Sequence, residues 1–532
     1  MMLYLVSLIP FLILLIYDFK KMIHMAQQNL YNDDNRFLRW TLKDIKQFKT
    51  PLKCSLVVLI TLIILVIFKL DAKVITMVYF AVVCIIILLI KIKENKSNDV
   101  KIGLKVTSRV KRLMFTNLLL FLLVLAFTFY FKNINLRYLI LFTYEIMICF
   151  IIMLSIIINK PVERMVYLSY KRKATNKLHE MKSLKVIGIT GSYGKTSSKN
   201  ILSDILNVKY NALPSPKNFN TPYGLIITVN NHLDKFDDIL IAEMGAYKVG
   251  EIKELCDLVK PKYGILTKIG TAHIEIFGSQ ENIQKGKFEL IESLPHDGIG
   301  VLNADDPLQV NYKLKNDCKI LWIGIENKDA DVLATDIKTS NVGTTFNVVF
   351  KGDKNKYKFT TKLLGYNNIY NILAALALSK EFGLTIEQMQ KAVLGVKSVE
   401  HRLELRKAGN ITYIDDSYNS NPVGSKMALE VLKSMPGTKI VMTPGMVELG
   451  DKHYELNKKF GTYMKDTTDI VILVGEKITK PIKDGLKEVN YNEKNIYVVK
   501  STKEAFALVN SLSKGKEVYC LIENDLPDIY NE

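Results

Sequence analysis

Lys185-Val-Ile-Gly-Ile-Thr190 runs without interruption into Gly191-Ser-Tyr-Gly194-Lys195-Thr196-Ser197, and a helical pattern follows through Ile205. The opening six residues are apolar and β-branched, the composition of a short buried strand. Strand, glycine loop and helix in that order make a phosphate cradle. The glycines let backbone amides close around the anion, a lysine at the loop's end neutralises β- and γ-phosphate charge, and the next hydroxyl can ligate magnesium. Gly191, Ser192, Tyr193, Gly194, Lys195, Thr196 and Ser197 are therefore the candidate nucleotide-binding residues. Lys195 is the candidate catalytic cation and Thr196 a candidate metal ligand, with ATP and Mg2+ the implied cofactors. Ile189 stands where the first glycine of G-x-x-x-x-G-K-[ST] would be, so the spacing departs from the general motif.

Downstream, short apolar segments alternate with charged and glycine-marked turns, as in a soluble α/β protein. Asp238-Ile-Leu-Ile-Ala242 reads as a strand that delivers the carboxylate of Glu243 to the loop where phosphates lie, as a magnesium ligand requires. Gly365-Tyr-Asn-Asn-Ile-Tyr-Asn371 is a polar turn opening an Ala- and Leu-rich helix. Strand-like runs at Lys439–Met442, Ile470–Val474, Ile496–Val499 and Val518–Ile522, separated by helical stretches, predict a small parallel sheet.

Upstream of the loop the material changes. A chain of 532 residues has room for about three domains of roughly 150 residues each, and its first third carries long apolar runs. Five segments are expected to span a membrane: Leu3–Tyr17, Cys54–Phe68, Val74–Ile90, Leu113–Phe131 and Tyr138–Ile158. Some fall short of the ~20 residues that cross a bilayer upright. The first also has the length of a signal peptide, but Met1–Leu5 carries no basic residue and no small-residue cleavage site precedes Asp18.

The net charge of +19 would suit nucleic acid, yet much of the excess flanks the apolar runs and no nucleic-acid recognition motif is present. Lys20, Lys21, Arg36, Arg39, Lys43 and Lys46 follow the first run, Lys91, Lys93, Lys96, Lys101, Lys105 and Arg112 the third, and Arg164, Lys171 and Arg172 the fifth. The positive-inside rule then places the N-terminus outside and everything after Ile158 in the cytoplasm: a multi-pass cell-membrane protein whose partners include membrane lipids and exclude nucleic acid. Glu145 lies inside the fifth segment, where a carboxylate is either functional or a hydrogen-bonded packing residue. The six cysteines show no C-x-x-C spacing, which points to a reducing compartment for the soluble part.

The form T-G-x-x-G-K-T-S resembles the Mur ligases and the folylpolyglutamate synthetases, which join an amine to a carboxylate at the expense of ATP. In order along the chain, Asn218-Phe-Asn-Thr-Pro222, Ala242-Glu-Met-Gly245, Thr267-Lys-Ile-Gly-Thr-Ala-His273, Lys287-Phe-Glu289, Asn303-Ala-Asp-Asp-Pro307, Asn368-Ile-Tyr-Asn371, Arg402-Leu-Glu404 and Asp415-Asp-Ser-Tyr-Asn-Ser-Asn-Pro422 are all similar to Mur ligase signatures. The last, with Gly445-Met-Val-Glu-Leu-Gly450, is most like the branch that adds D-alanyl-D-alanine to UDP-N-acetylmuramoyl-tripeptide. The resemblance is strong over residues 185 to 450 and looser beyond. It implies an α-helical membrane region (1–182) followed by α/β: a P-loop Mur ligase central domain (183–400) and a C-terminal Rossmann-like α/β domain (401–532).

It also implies roles. His273 would ligate a second magnesium. Lys287 matches a position that carries a carbamate in several Mur ligases, the alternative being an ordinary helix-surface lysine. Asn368 and Asn371 would hydrogen-bond adenine, although Asn367 replaces the histidine of G-x-H-N-x-x-N. Arg402 would reach the phosphates, and Asp416 the ribose or the interdomain hinge. Asn218, Asn220, Thr221, Tyr418, Asn419 and Asn421 would contact substrate. The catalytic set is then Lys195, His273, Lys287 and Arg402, with Thr196, Glu243, His273 and Lys287 as metal ligands.

Two departures bear on substrate. Members of that branch carry a domain gripping the UDP-sugar precursor ahead of the ATPase domain, whereas here the phosphate loop follows the membrane third directly. At the end of the last strand, Glu523-Asn-Asp-Leu-Pro-Asp528 replaces a Lys-Gly-Ser-type ending and would either attract an amine or form a solvated turn. The expected activity is an ATP-dependent amide ligase adding D-alanyl-D-alanine or a similar amine to a small-molecule or lipid-linked cell-wall precursor. The alternatives are a membrane-anchored polyglutamate-type ligase and a non-catalytic ATP-binding scaffold. Oligomeric state is not legible.

Overall fold

The computed structural model describes residues 2–28, 49–68, 73–95, 103–270, 274–418, 420–447 and 449–524. His273, Asn419, Glu448, the basic residues Arg36, Arg39, Lys43, Lys46, Lys96 and Lys101, and the acidic end from Asp525 to Asp528 lie outside the described residues. The chain divides into two compact units, one of Met1–Ser169 and one of Tyr170–Leu526.

The first unit is helical: α1 (Met2–Gln28), α2 (Lys49–Ile67), α3 (Lys73–Asn95), α4 (Ser108–Thr128), α5 (Ile134–Ile146) and the start of α6 (Ile148–Glu180). Phe11, Phe80, Tyr138 and Phe142 fill its centre, while Ile9, Val57, Ile75 and Leu123 face outward. An apolar exterior around an apolar centre is what a lipid-facing bundle requires. Among the described residues three helices, Leu3–Gln28, Lys73–Lys93 and Ser108–Thr128, are long and apolar enough to cross a membrane. The expected second span is a shorter apolar helix over Ser55–Ile67. The expected fifth span, Tyr138–Ile158, is not one helix: α5 and α6 meet at Met147 with a 70° bend. One turn before the break, Thr143 turns its hydroxyl back onto the Leu139 carbonyl (2.8 Å), a bond that weakens the helical ladder and favours bending.

Two charge assignments also change. Lys91 lies within α3, and its ammonium sits 2.7 Å from Asp18 and 2.8 Å from Glu145. Arg112 belongs to α4 and pairs with Glu163 at 2.7 Å. Both cations serve the packing of the bundle, so the basic face after the third segment rests on fewer free charges than the sequence suggests.

The second unit contains two sheets. In the nine-stranded sheet, order β2-β3-β1-β4-β5-β6-β7-β8-β9, the strands β2 (Ala212–Pro214), β3 (Ile239–Glu243), β1 (Lys185–Thr190), β4 (Tyr263–Leu266), β5 (Ile299–Asn303), β6 (Lys319–Gly324) and β7 (Val332–Ser340) are parallel. The antiparallel strands β8 (Gly343–Phe350) and β9 (Tyr357–Thr361) extend it. Chain order reverses at β1, which has β3 on one side and β4 on the other. A reversal of this kind opens a crevice at the carboxyl ends of the strands, and the 191–194 loop stands there. Ile187, Ile189, Ile239 and Ile241 pack beneath helices α7 (Lys195–Leu206) and α13 (Tyr366–Glu381). Between them come α8 (Pro222–Ile227), α9 (Glu251–Val259), α10 (Ile274–Phe277), α11 (Gln280–Glu292) and α12 (Pro307–Val310).

After α14 (Ile386–Gly395) comes the six-stranded sheet, order β10-β11-β15-β12-β13-β14. The four predicted strands form β12 (Thr438–Thr443), β13 (Ile470–Val474), β14 (Ile496–Val499) and β15 (Val518–Glu523), parallel as expected. β11 (Ile411–Asp416) joins β15 in parallel, and β10 (Glu404–Ala408) closes the edge in antiparallel fashion. Helix α15 (Pro422–Lys433) covers one face.

Candidate active site

Gly191 and Gly194 take φ of 149° and 84°. A Cβ on Gly191 would come within 2.0 Å of Thr267 Oγ1 and one on Gly194 within 3.0 Å of Asn371 Oδ1, so both loop ends need the smallest residue for conformation and for space. The segment after β4 braces the loop. Ser192 N–H donates to Lys268 O (2.9 Å), Ser192 Oγ to Gly270 O (3.2 Å) and Thr267 Oγ1 to Tyr193 O (2.6 Å). Lys195 folds back over the loop, its ammonium donating to Gly191 O (2.8 Å) and Ser192 O (3.3 Å). Desolvation pushes that ammonium down to about 8; Glu243 opposes the shift and the charge of Arg402 adds to it. Arg402 therefore acts on the phosphate loop from the linker into the six-stranded sheet, and its guanidinium lies over the exposed Tyr418 ring, 4.7 Å from the centroid.

Glu243, at the end of β3, is the convergence point. Thr196 Oγ1 (3.2 Å) and Asn220 Nδ2 (3.1 Å) both donate to its Oε1. Thr196 and Glu243 together offer hard oxygen donors, the type magnesium takes. Among the described residues no group of three His, Cys, Asp or Glu gathers to hold a metal. Lys287 is not a helix-surface residue: it is 2% exposed, and its amine donates to Ala246 O at 3.2 Å. Burial pushes it down to about 7, and the charge of Lys195 contributes.

The other predicted residues make contacts within the protein. Asn220 is engaged with Glu243, while Thr221 and Asn421 cap α8 and α15 by accepting from Gly224 N (3.3 Å) and Gly424 N (2.9 Å). Of the predicted substrate contacts among the described residues, Asn218, Thr221 and Tyr418 are exposed. Asn371 accepts from Ser198 Oγ (2.8 Å) beside the loop, Asn368 donates to Leu364 O (2.8 Å), and the cavity between Tyr193, Thr267, Asn367, Tyr370 and Asn371 holds only about 30 Å³. Asp416 accepts from Leu403 N (3.3 Å), and desolvation pushes it up to about 6 against the pull of Arg402. Glu523, its register partner, is fully buried rather than in a solvated turn; Ser420 Oγ donates to it at 2.6 Å, and burial and Asp416 raise it far above the usual range.

Two residues absent from the predicted set stand out. Lys199, one turn beyond Lys195, is 1% exposed and lies 2.9 Å from Glu243 Oε2. Its signal was a lysine on the helix face shared with Leu202 and Leu206. His401, held at φ 61°, bonds Asp415 Oδ2 through Nδ1 (2.8 Å), and Leu403 is also left-handed at φ 48°. No spacing rule announces such strain at a linker.

Comparison with known proteins settles the family. The Mur ligase middle domain matches residues 189–379, and the Mur ligase glutamate ligase domain matches residues 401–521. A UDP-N-acetylmuramoyl-tripeptide--D-alanyl-D-alanine ligase from Buchnera aphidicola subsp. Acyrthosiphon pisum is 30% identical over 322 residues, 59% of this chain and 70% of that one. The chain belongs to the Mur ligase family. Among Mur ligases, the Bacillus subtilis protein of the same name is 34% identical over 297 residues, 55% of this chain; the chain spans 63% of that relative's length, less than two thirds. The crystal structure of MurF ligase from Thermotoga maritima in complex with ADP shares the Mur ligase fold with TM-score 0.60 and 26% identity, over 68% of this chain and 80% of that one.

Proposed function

We propose that this Mur ligase is an ATP-dependent amide-bond-forming ligase that adds D-alanyl-D-alanine or a similar amine to the peptide carboxylate of a cell-wall precursor. The reading assigns nucleotide binding to residues 183–400, amine binding and closure to 401–532, and membrane attachment to 1–182, with the catalytic part in the cytoplasm. The observation that carries it is the convergence of Thr196 and Asn220 on Glu243 beside a glycine loop at the strand-order reversal.

Phosphoryl transfer is chiefly a matter of positioning and charge. The loop amides and Lys195 hold the triphosphate, and Arg402 adds positive charge from the other sheet. The acceptor's carboxylate oxygen attacks the γ-phosphorus, the bond to ADP breaks, and an acyl phosphate forms. The amine nitrogen then attacks the acyl carbon, phosphate leaves and the nitrogen's proton passes to solvent. Magnesium, held through Thr196 and Glu243 and, by family resemblance, His273 and a carbamylated Lys287, would supply charge against the γ-phosphate. A lysine near pKa 7 is substantially neutral at physiological pH, which suits carbamate formation with carbon dioxide. The amine fits the cavity of about 340 Å³ at the carboxyl ends of β12, β13 and β15, bordered by His401, Asp415, Ser417, Met442 and Asn524.

Three apolar helices of spanning length support a membrane site and hence a lipid-linked acceptor in place of a UDP-linked one. The test is phosphate release by full-length protein in detergent with MgATP and D-alanyl-D-alanine, offering either carrier. Stimulation by the lipid-linked tripeptide supports both parts of the reading, stimulation by the UDP-linked tripeptide alone removes the lipid part, and glutamate-dependent turnover without either would replace it with the polyglutamate-type ligase.

A further inference from the structure

Glu243 is already engaged by the protein itself, through hydrogen bonds at one oxygen and an ion pair at the other. Its Oε1 accepts from Thr196 and Asn220, and its Oε2 faces the Lys199 ammonium at 2.9 Å, with the lysine and glutamate side chains 1% and 2% exposed. The same ammonium donates to the Lys217 carbonyl in the segment leading to Asn220, which fixes its position. Lys195 and Lys199 thus set two positive charges around one carboxylate, a net charge of +1 in a desolvated corner. A bare dication entering there meets repulsion and a carboxylate already paired, whereas a triphosphate is drawn in and carries enough negative charge to bring its cation with it.

We propose that Lys199 is a built-in counter-ion for Glu243 that makes divalent-metal binding conditional on nucleotide: the metal is admitted with the phosphates and excluded without them. Lys199 is a positioning residue, acting on the metal through Glu243 and touching no reacting atom. The inference rests on Glu243 being a metal ligand, as the proposed function has it. Its alternative is a lysine that merely ties α7 to the 214–220 segment.

Binding of Mn2+ by electron paramagnetic resonance, on the full-length protein in detergent with and without ADP, separates these. Without nucleotide, Lys199→Met should bind Mn2+ at least about tenfold tighter than wild type, since it keeps the stem and removes the charge, while Lys199→Arg should stay as weak as wild type. With ADP all three should bind alike. A Lys199→Met protein that binds Mn2+ no better than wild type without nucleotide overturns the proposal. Glu243→Gln supplies a check that does not depend on the Lys199 variants folding. It should match wild type without nucleotide and be at least about tenfold weaker with ADP. Tight, Glu243-dependent binding to nucleotide-free wild type overturns the counter-ion role while leaving Glu243 a ligand. Unchanged binding by Glu243→Gln with ADP removes the metal reading of Glu243 and the proposal with it.

Discussion

Lys195 and Lys287 are desolvated amines in one site, and each should be visible in solution. With Lys195→Ala the triphosphate loses its principal cation, and ATP turnover should fall by about two to three orders of magnitude, the usual cost of deleting a group that stabilises transferred charge; retention of more than a tenth of the wild-type rate would remove Lys195 from the chemistry. For Lys287 the sign of the pH effect is fixed by linkage. Its folded value near 7 lies below that of an unfolded lysine, about 10.4, so between these values the unfolded chain holds the extra proton and folding stability rises with pH. Wild type should therefore gain thermal stability relative to Lys287→Met as pH goes from 7 toward 10, and a difference flat in pH would show that Lys287 is not desolvated. If the amine is carbamylated, stripping dissolved carbon dioxide should lower the rate and added bicarbonate should restore it.

Elements decide which of these side chains meet, and here sequence and structure agree unevenly. β1, its glycine loop and α7 were legible because composition, glycine placement and phosphate chemistry coincide within a few residues. The strands β12 to β15 were legible from their apolar runs. β10 and β11 were not: Glu404–Ala408 is polar and edge-placed, and Ile411–Asp416 ends in two carboxylates. The break at Met147 was hidden because Tyr138–Ile158 stays apolar across it, and composition does not encode direction. The caps made by Thr221 and Asn421 and the clamp of Asn220 on Glu243 were not read from the sequence, because asparagine and threonine serve caps, clamps and ligand contacts alike. Two variants test the elements directly. Gly194→Ala places a side chain at φ 84° against Asn371 and should cost about 1–2 kcal/mol in thermal unfolding and abolish nucleotide binding; wild-type ADP affinity would contradict the loop's assignment. In the helical unit, Lys91→Met strands the buried carboxylates of Asp18 and Glu145 and should destabilise the detergent-solubilised bundle by about 3–5 kcal/mol. The triple change adding Asp18→Asn and Glu145→Gln should recover most of that loss, and no recovery would show that the ion pairs are not what Lys91 contributes.

At the scale of the molecule, an apolar helical unit and a Mur ligase unit share one chain, so the chemistry is expected at a membrane surface. Full-length protein should sediment with membranes and stay there after high-salt washing, because the outward Leu, Ile and Val side chains of the helical unit hold it by apolar burial, which salt does not screen; release by salt would reduce the attachment to surface charge. The central step is activation of a carboxylate by phosphoryl transfer, and isotope tracing reads that step without assuming the amine. With the acceptor's reacting carboxylate labelled with oxygen-18, one labelled oxygen should appear in the inorganic phosphate released in each turnover, carried there through the acyl phosphate. Phosphate released with solvent oxygen alone would mean that water, and not the carboxylate, attacks ATP, and the ligase reading would be wrong.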